Sequence, residues 1–183
     1  MYILGLSGGI RLGYHDIGAA LLHDGELVGA VEEERINRIK HSPAQLPELS
    51  IRSLLDSENI TIQDIDIVAS HGITWGDVFQ KVLTDYFEGE FGYCPPIESV
   101  HHHDAHAASA YYASGFDDAM ILTVDGSGDG TSTQFTIGKD HNMKILLLHP
   151  LKEKFQCQCP FVRTSSAHLT KSTAVTVQVH KKH

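Results

Sequence analysis

Residues 101–106, His101-His102-His103-Asp104-Ala105-His106, hold four imidazoles and a carboxylate. His102 and His106 are four apart. On a helix that spacing puts both rings on one face, an arrangement common among divalent metal ligands. Ala105, Ala107 and Ala108 keep the surroundings small, so another element can approach closely. Asp125 offers a nearby carboxylate. A helix beginning only at Asp104 would leave His102 just outside it. The plainer alternative is a polar, solvated turn between a strand and a helix.

The second chemical signal is Asp125-Gly126-Ser127-Gly128-Asp129-Gly130, at the end of the apolar run Met120–Val124. Glycines let backbone N–H groups approach a phosphate without interference from Cβ. Acidic residues beside them can hold a cation that bridges phosphates. A hairpin turn has a similar composition. The segment is neither a Walker A loop nor a dinucleotide fingerprint. A related Gly-rich stretch occupies residues 7–18 and ends in His15-Asp16, which reads either as a base with its orienting carboxylate or as a turn. Glu32-Glu33-Glu34-Arg35 reads as a solvated charge run or as part of a site. Lys40 and His41 are placed to face an anionic substrate. Cys157-x-Cys159 lacks the partner motif of a metal site.

The elements that must carry these residues follow from periodicity. Tyr2–Leu6, Gly18–Leu22 and Glu26–Val31 read as strands, the last two joined by an Asp24-Gly25 hairpin turn. A helix is expected over 46–58, with Pro47 in its first turn, and a strand over 65–69. A second helix carries Trp75, Val78, Phe79, Val82, Leu83 and Tyr86, with Thr74 and Asp77 spaced as a capping box. Ile97–Val100 reads as a strand, and Ala105–Ser114 as a helix. Met120–Val124, Ser132–Ile137 and Met143–Leu148 are three further strands. Strand, Gly/Asp loop and hairpin therefore recur about 115 residues apart, the mark of two similar α/β lobes. The expected division is a first lobe over 1–118, the start of a second over 119–150, and an atypical tail over 151–183. Within that tail Val175, Val177 and Val179 alternate with polar residues as a strand would.

Composition narrows the class. The chain has 183 residues, 42% hydrophobic and 20% charged, as a globular protein has. Of 23 acidic residues 22 precede residue 151, against 8 of the 14 basic ones. So acidic a body argues against general nucleic-acid binding. Three cysteines are too few for a disulfide framework, which points to a reducing compartment. No apolar run reaches the roughly 20 residues that span a bilayer. The N-terminus lacks the basic region of a signal peptide. The expectation is a cytoplasmic protein that binds neither nucleic acid nor membrane.

Four stretches, in order, resemble the N-terminal part of the O-carbamoyltransferases that act on nodulation factors and on aminoglycoside or cephem antibiotics. They are Ile3–Leu6 with His15–Leu22, Val31–Arg35 with Arg38–His41, His102–Ala110, and Val124–Gly128. The resemblance covers roughly residues 1–150 and fits this family better than the related tRNA threonylcarbamoyladenosine factor. It implies an α/β fold of the actin/sugar-kinase/Hsp70 class (ribonuclease H-like), with a mixed sheet and flanking helices. It implies a chemistry in which carbamoyl phosphate and ATP give carbamoyl-adenylate, and the carbamoyl group then passes to a hydroxyl of a small-molecule acceptor. His102, His106 and Asp125 match the family's metal ligands, the metal being a divalent ion, Fe2+ above others. Gly126, Ser127 and Gly128 match the loop at the adenylate phosphate. His15 matches a histidine of the transfer step, and Lys40 a lysine near the carbamoyl or phosphate group.

Family members are much longer. The departure after about Pro150 reads as a truncation or a change of reading frame. It leaves the second lobe incomplete, with apolar edges that would take a second copy or a missing C-terminal chain. The alternative function is a non-catalytic metal- or nucleotide-binding module that assembles with a partner chain.

Overall fold

The computed structural model describes residues 1–8, 16–73, 76–150 and 173–178, the last of these and Ser127 by their backbone alone. The chain divides into two compact units, Met1–Val100 and His101–His183. His15, Thr74, Trp75, Cys157 and Cys159 lie outside the described residues, so the Thr74–Asp77 capping box does too.

In the first unit, β1 (Tyr2–Ser7), β2 (Gly18–His23) and β3 (Glu26–Glu32) form an antiparallel meander. Asp24 and Gly25 both have positive φ (50° and 87°), as a two-residue type I′ hairpin requires. The sheet continues in parallel from β1 to β4 (Ile67–His71) and β5 (Ile97–Val100), giving the order β3-β2-β1-β4-β5. Between them run α1 (Glu33–Asn37), α2 (Glu48–Glu58) and α3 (Gly76–Phe91). Ile51, Leu54 and Leu55 of α2 pack with Leu4, Leu21, Val68, Leu83 and Phe87 in one buried cluster. Each of those side chains contributes about 1.5–3 kcal/mol by leaving water. Pro47 caps α2 rather than entering it, and Asn59 ends it in the left-handed region.

The second unit opens with α4 (His102–Ser114) and continues through β6 (Asp118–Gly128), β7 (Thr131–Lys139) and β8 (Asn142–Pro150). These strands repeat the antiparallel meander of β1, β2 and β3. The repeat then breaks, because β9 (Thr173–Gln178) pairs antiparallel with β6, where β4 is parallel to β1. The tail thus supplies a strand to the sheet, in the order β8-β7-β6-β9.

Three expectations change, and one open reading is decided. The division falls at 100/101 rather than 118/119, because α4 packs on β6 and β7. The helix begins at His102, not Ala105. The presumed loop 126–130 is mostly strand: β6 runs to Gly128, and only Asp129 and Gly130 (φ 48° and 76°) make the turn. Of the two readings left open for the acidic run, Glu33 does not fit the solvated one, being 2% exposed within α1.

Two glycines set how closely α4 lies on the hairpin. A Cβ on Gly128 would overlap the His102 ring, and one on Gly138 would sit 2.5 Å from the Tyr111 ring. Beneath the C-terminal half of α4 the contact is apolar, through Ala107, Tyr111, Ala119 and Ile121. The N-terminal half meets a buried polar layer instead, built from Thr123, Thr131, Gln134 and Thr136.

Candidate metal centre

Helix α4 starts at His102, the first residue of the histidine pair. His101 is the N-cap, and its Nδ1 accepts from the His103 backbone N–H. His102 and His106 then stand one turn apart on the same face. Their Nε2 atoms face each other at 3.0 Å. Asp125 reaches them from β6 because the strand bulges there. Val124 pairs with Thr133 and Gly128 with Thr131, so residues 125–127 are displaced from the ladder. A bulge of this kind re-aims a side chain that a regular strand would hold in line.

Asp125 Oδ2 lies 2.5 Å from His102 Nε2 and 3.6 Å from His106 Nε2. Three donor atoms about 2.1 Å from one ion stand about 3.0 Å apart in cis octahedral geometry and about 3.4 Å apart in a tetrahedron. The triangle of 2.5, 3.0 and 3.6 Å brackets both. The donor set fits a divalent cation, since two imidazole lone pairs and a carboxylate cannot all be satisfied by one another without a proton or a cation between them. Two His and one carboxylate, with positions left open, suit Fe(II) and also Zn or Mn. All three side chains are partly buried.

Burial alone would raise the pKa of the Asp125 carboxyl. The hydrogen bonds from His102 and His106 outweigh it, with help from electrostatic attraction to His102 and from the Gly126 backbone N–H, and hold the group well below the usual carboxylate range. Burial has the opposite sign at His103, whose pKa it lowers against the raising effect of the Thr131 bond.

The structure brings together three of the sequence-derived residues, His102, His106 and Asp125, with Gly126 and Gly128 in the same bulge and turn region. Lys40 belongs to the other unit, exposed in the turn after α1. Asp16, expected beside His15, pairs with His41: its Oδ1 is 2.9 Å from His41 Nδ1, and its backbone N–H donates to the His41 carbonyl. Glu34 accepts from the His41 backbone N–H at 2.6 Å. The roles of three residues escaped the sequence reading. His103 is wholly buried, and Asp129 accepts from the His102 backbone N–H. Glu33 accepts from Leu49 N, Ser50 N and the Ser50 hydroxyl, and so holds the start of α2. The triple histidine signals His103, but no pattern in the sequence tells its role from those of its neighbours.

The strand order and the meander repeated at β6 define a protein of the actin/sugar-kinase/Hsp70 class. YeaZ from Pseudomonas aeruginosa, a solved structure, matches with a TM-score of 0.51 at 16% identity, over 91% of this chain and 72% of that one. Within the class the chain belongs to the carbamoyltransferase N-terminus family, whose model matches residues 6–93 and 75–156. The nodulation protein NolNO of Sinorhizobium fredii is 34% identical over 82% of this chain. An uncharacterized protein of Synechocystis, sll1178, is 30% identical over 74% of it. The chain spans 27% and 28% of the lengths of these two relatives.

Proposed function

We propose that this chain is the carbamoyl-transfer part of an O-carbamoyltransferase and that His102, His106 and Asp125 hold a divalent metal ion in it. The convergence of two imidazoles and one carboxylate within a family-matched segment carries the reading. The donor is carbamoyl phosphate, used through carbamoyl-adenylate, and the acceptor is a hydroxyl of a small molecule. In the transfer step the acceptor oxygen bonds the carbamoyl carbon, the bond from that carbon to the adenylate phosphate oxygen breaks, and AMP leaves with the electron pair. His15 is assigned the hydroxyl proton, and the Lys40 ammonium balances phosphate charge. Gly126, Ser127 and Gly128 are assigned to the adenylate phosphate. A bound divalent ion supplies Lewis-acid stabilisation of the charge that develops at the reacting oxygen. Asp125, anionic across the working pH range, gives the two imidazoles a fixed negative partner.

A second reading, a non-catalytic module completed by a partner chain, is favoured by one observation. Edge strand β8 exposes four consecutive apolar residues, Ile145 to Leu148. Among the described residues no helix is long and apolar enough to cross a membrane.

The test is metal analysis of the purified chain, then incubation with ATP, carbamoyl phosphate and a hydroxyl acceptor while pyrophosphate and carbamoylated product are followed. Near-stoichiometric metal with turnover supports the enzyme. Metal without turnover supports the partnered module. Loss of metal in His102→Ala and His106→Ala is expected, and stoichiometric metal in the double variant overturns the ligand assignment.

A further inference from the structure

The first three residues of α4 are each tied to the β6–β7 hairpin. The His102 backbone N–H donates to Asp129 Oδ2 at 2.9 Å. The His103 ring, wholly buried, lies between the Thr123 hydroxyl, 2.7 Å from Nδ1, and the Thr131 carbonyl oxygen, 3.1 Å from Nε2. The Asp104 carboxylate accepts from Gln134 Nε2 at 2.7 Å, and the same amide group donates to Thr136 Oγ1 at 2.9 Å.

The His103 contacts fix its tautomer. A carbonyl oxygen can only accept, so Nε2 carries the proton, and Nδ1 accepts from the Thr123 hydroxyl. Thr123 lies on β6 two residues before Asp125. Thr131 opens β7 two residues after Asp129. Two closed loops result. One runs from His102 through His103 and Thr123 to Asp125. The other runs from His102 through Asp129 to Thr131 and back to His103. Both lock the angular setting of α4 against the strand that carries the carboxylate.

We infer that His103, held by Thr123 and Thr131 and assisted by Asp129 at the helix start, is a positioning residue that sets the His102 and His106 rings against Asp125. The inference rests on reading those three residues as a metal site. A turn of the helix by a few tens of degrees would swing His102 Nε2 out of reach of Asp125 Oδ2 while leaving the apolar half of the contact largely in place. Partners that orient ligands without touching the ion typically matter 10–100-fold in metal affinity.

The experiment titrates the whole chain with Co2+, reading affinity and the visible absorption bands, alongside the thermal midpoint. Thr123→Val keeps the shape of the side chain and removes the donor to His103 Nδ1. It is expected to weaken Co2+ binding about 10-fold or more and to change the band shape, with Thr123→Ser restoring both. Should Thr123→Val fail to fold, Asp129→Gly removes the carboxylate at a position whose backbone (φ 48°) suits glycine, and it is expected to act in the same direction. Wild-type affinity and bands in a folded variant, with only the midpoint lowered, would show that the clamp stabilises the fold without positioning ligands, and the inference fails. His106→Ala separates the two claims. Unchanged Co2+ binding there removes the metal site itself, whereas lost binding there with unchanged Thr123→Val removes only the positioning role.

Discussion

Gly128 and His102 occupy the same space in the sense that only one of them can have a side chain there: a Cβ on Gly128 would overlap the imidazole ring. The glycine that the sequence suggested for a phosphate contact is therefore also what leaves room for the His102 ring against the end of β6. Gly128→Ala is expected to push the ring away from Asp125 and lower metal affinity at least 10-fold, the scale on which displaced ligand supports act. Gly89→Ala is the control. It lies inside α3 with nothing within 4 Å of the added Cβ and should raise stability by about 1 kcal/mol through helix propensity. Metal titration and urea unfolding of the two variants distinguish a local clash from a general effect of alanine.

Glu33 gives a second, stability-level test. Its carboxylate accepts at 3.0 Å from Leu49 N, 2.8 Å from Ser50 N and 2.7 Å from Ser50 Oγ, in a buried site. Glu33→Ala orphans two backbone donors at the start of α2 and one hydroxyl, for an expected loss of about 3 kcal/mol. Glu33→Gln retains one acceptor oxygen and should cost about half as much. Urea midpoints measure both, and equal losses would refute the capping role.

What the sequence disclosed, and what it hid, divides along physical lines. The alternating and helical apolar patterns disclosed β1 to β8 and α2 to α4, because burial of one face sets those periods. The Asp24-Gly25 hairpin was legible because so few residues tolerate two successive positive φ values. Helix α1 was not legible, since its five residues are mostly charged and its stability comes from Glu33 reaching another helix. The start of α4 at His102 was hidden for a similar reason. Its first backbone N–H is satisfied by Asp129, 27 residues away, which no local pattern encodes. The triad was legible through its i, i+4 spacing and the family likeness. The bulge that aims Asp125 was not, because glycine-rich strand ends and turns share a composition.

Asp64 supplies the pH test. Its carboxylate closes a capping box with Thr61, accepting from the Thr61 backbone N–H and hydroxyl at 2.8 Å each. Those hydrogen bonds, the backbone one first, hold its pKa below 3.8. A depressed carboxyl contributes stability that is present above the unfolded pKa and is lost as pH falls through the folded one. Between about pH 5 and about pH 2 the wild type should therefore lose more stability than Asp64→Asn, which cannot titrate. Parallel urea midpoints for the two proteins across that range would contradict the assignment.

Strand β8 sets the last expectation. It ends the sheet, so one side of its backbone has no strand partner among the described residues. Ile145 and Leu147 pair with the neighbouring Thr136 and Phe135 of β7 and so point to opposite faces, the ladder skipping Leu146 between them. Four residues in a row are apolar and exposed: Ile145 (42%), Leu146 (54%), Leu147 (56%) and Leu148 (44%). Neither face is thus solvated by pattern, and an unpaired apolar edge is a template for association. Leu146→Lys combined with Leu148→Glu places two charges within this exposed apolar stretch. Sedimentation velocity at rising concentration should show association in the wild type and less of it in the double variant. Co2+ binding should be the same in both, because residues 146 and 148 belong neither to the His102, His106 and Asp125 cluster nor to the contacts of His103. Identical sedimentation of the two proteins would mean that the exposed apolar residues of β8 do not drive self-association.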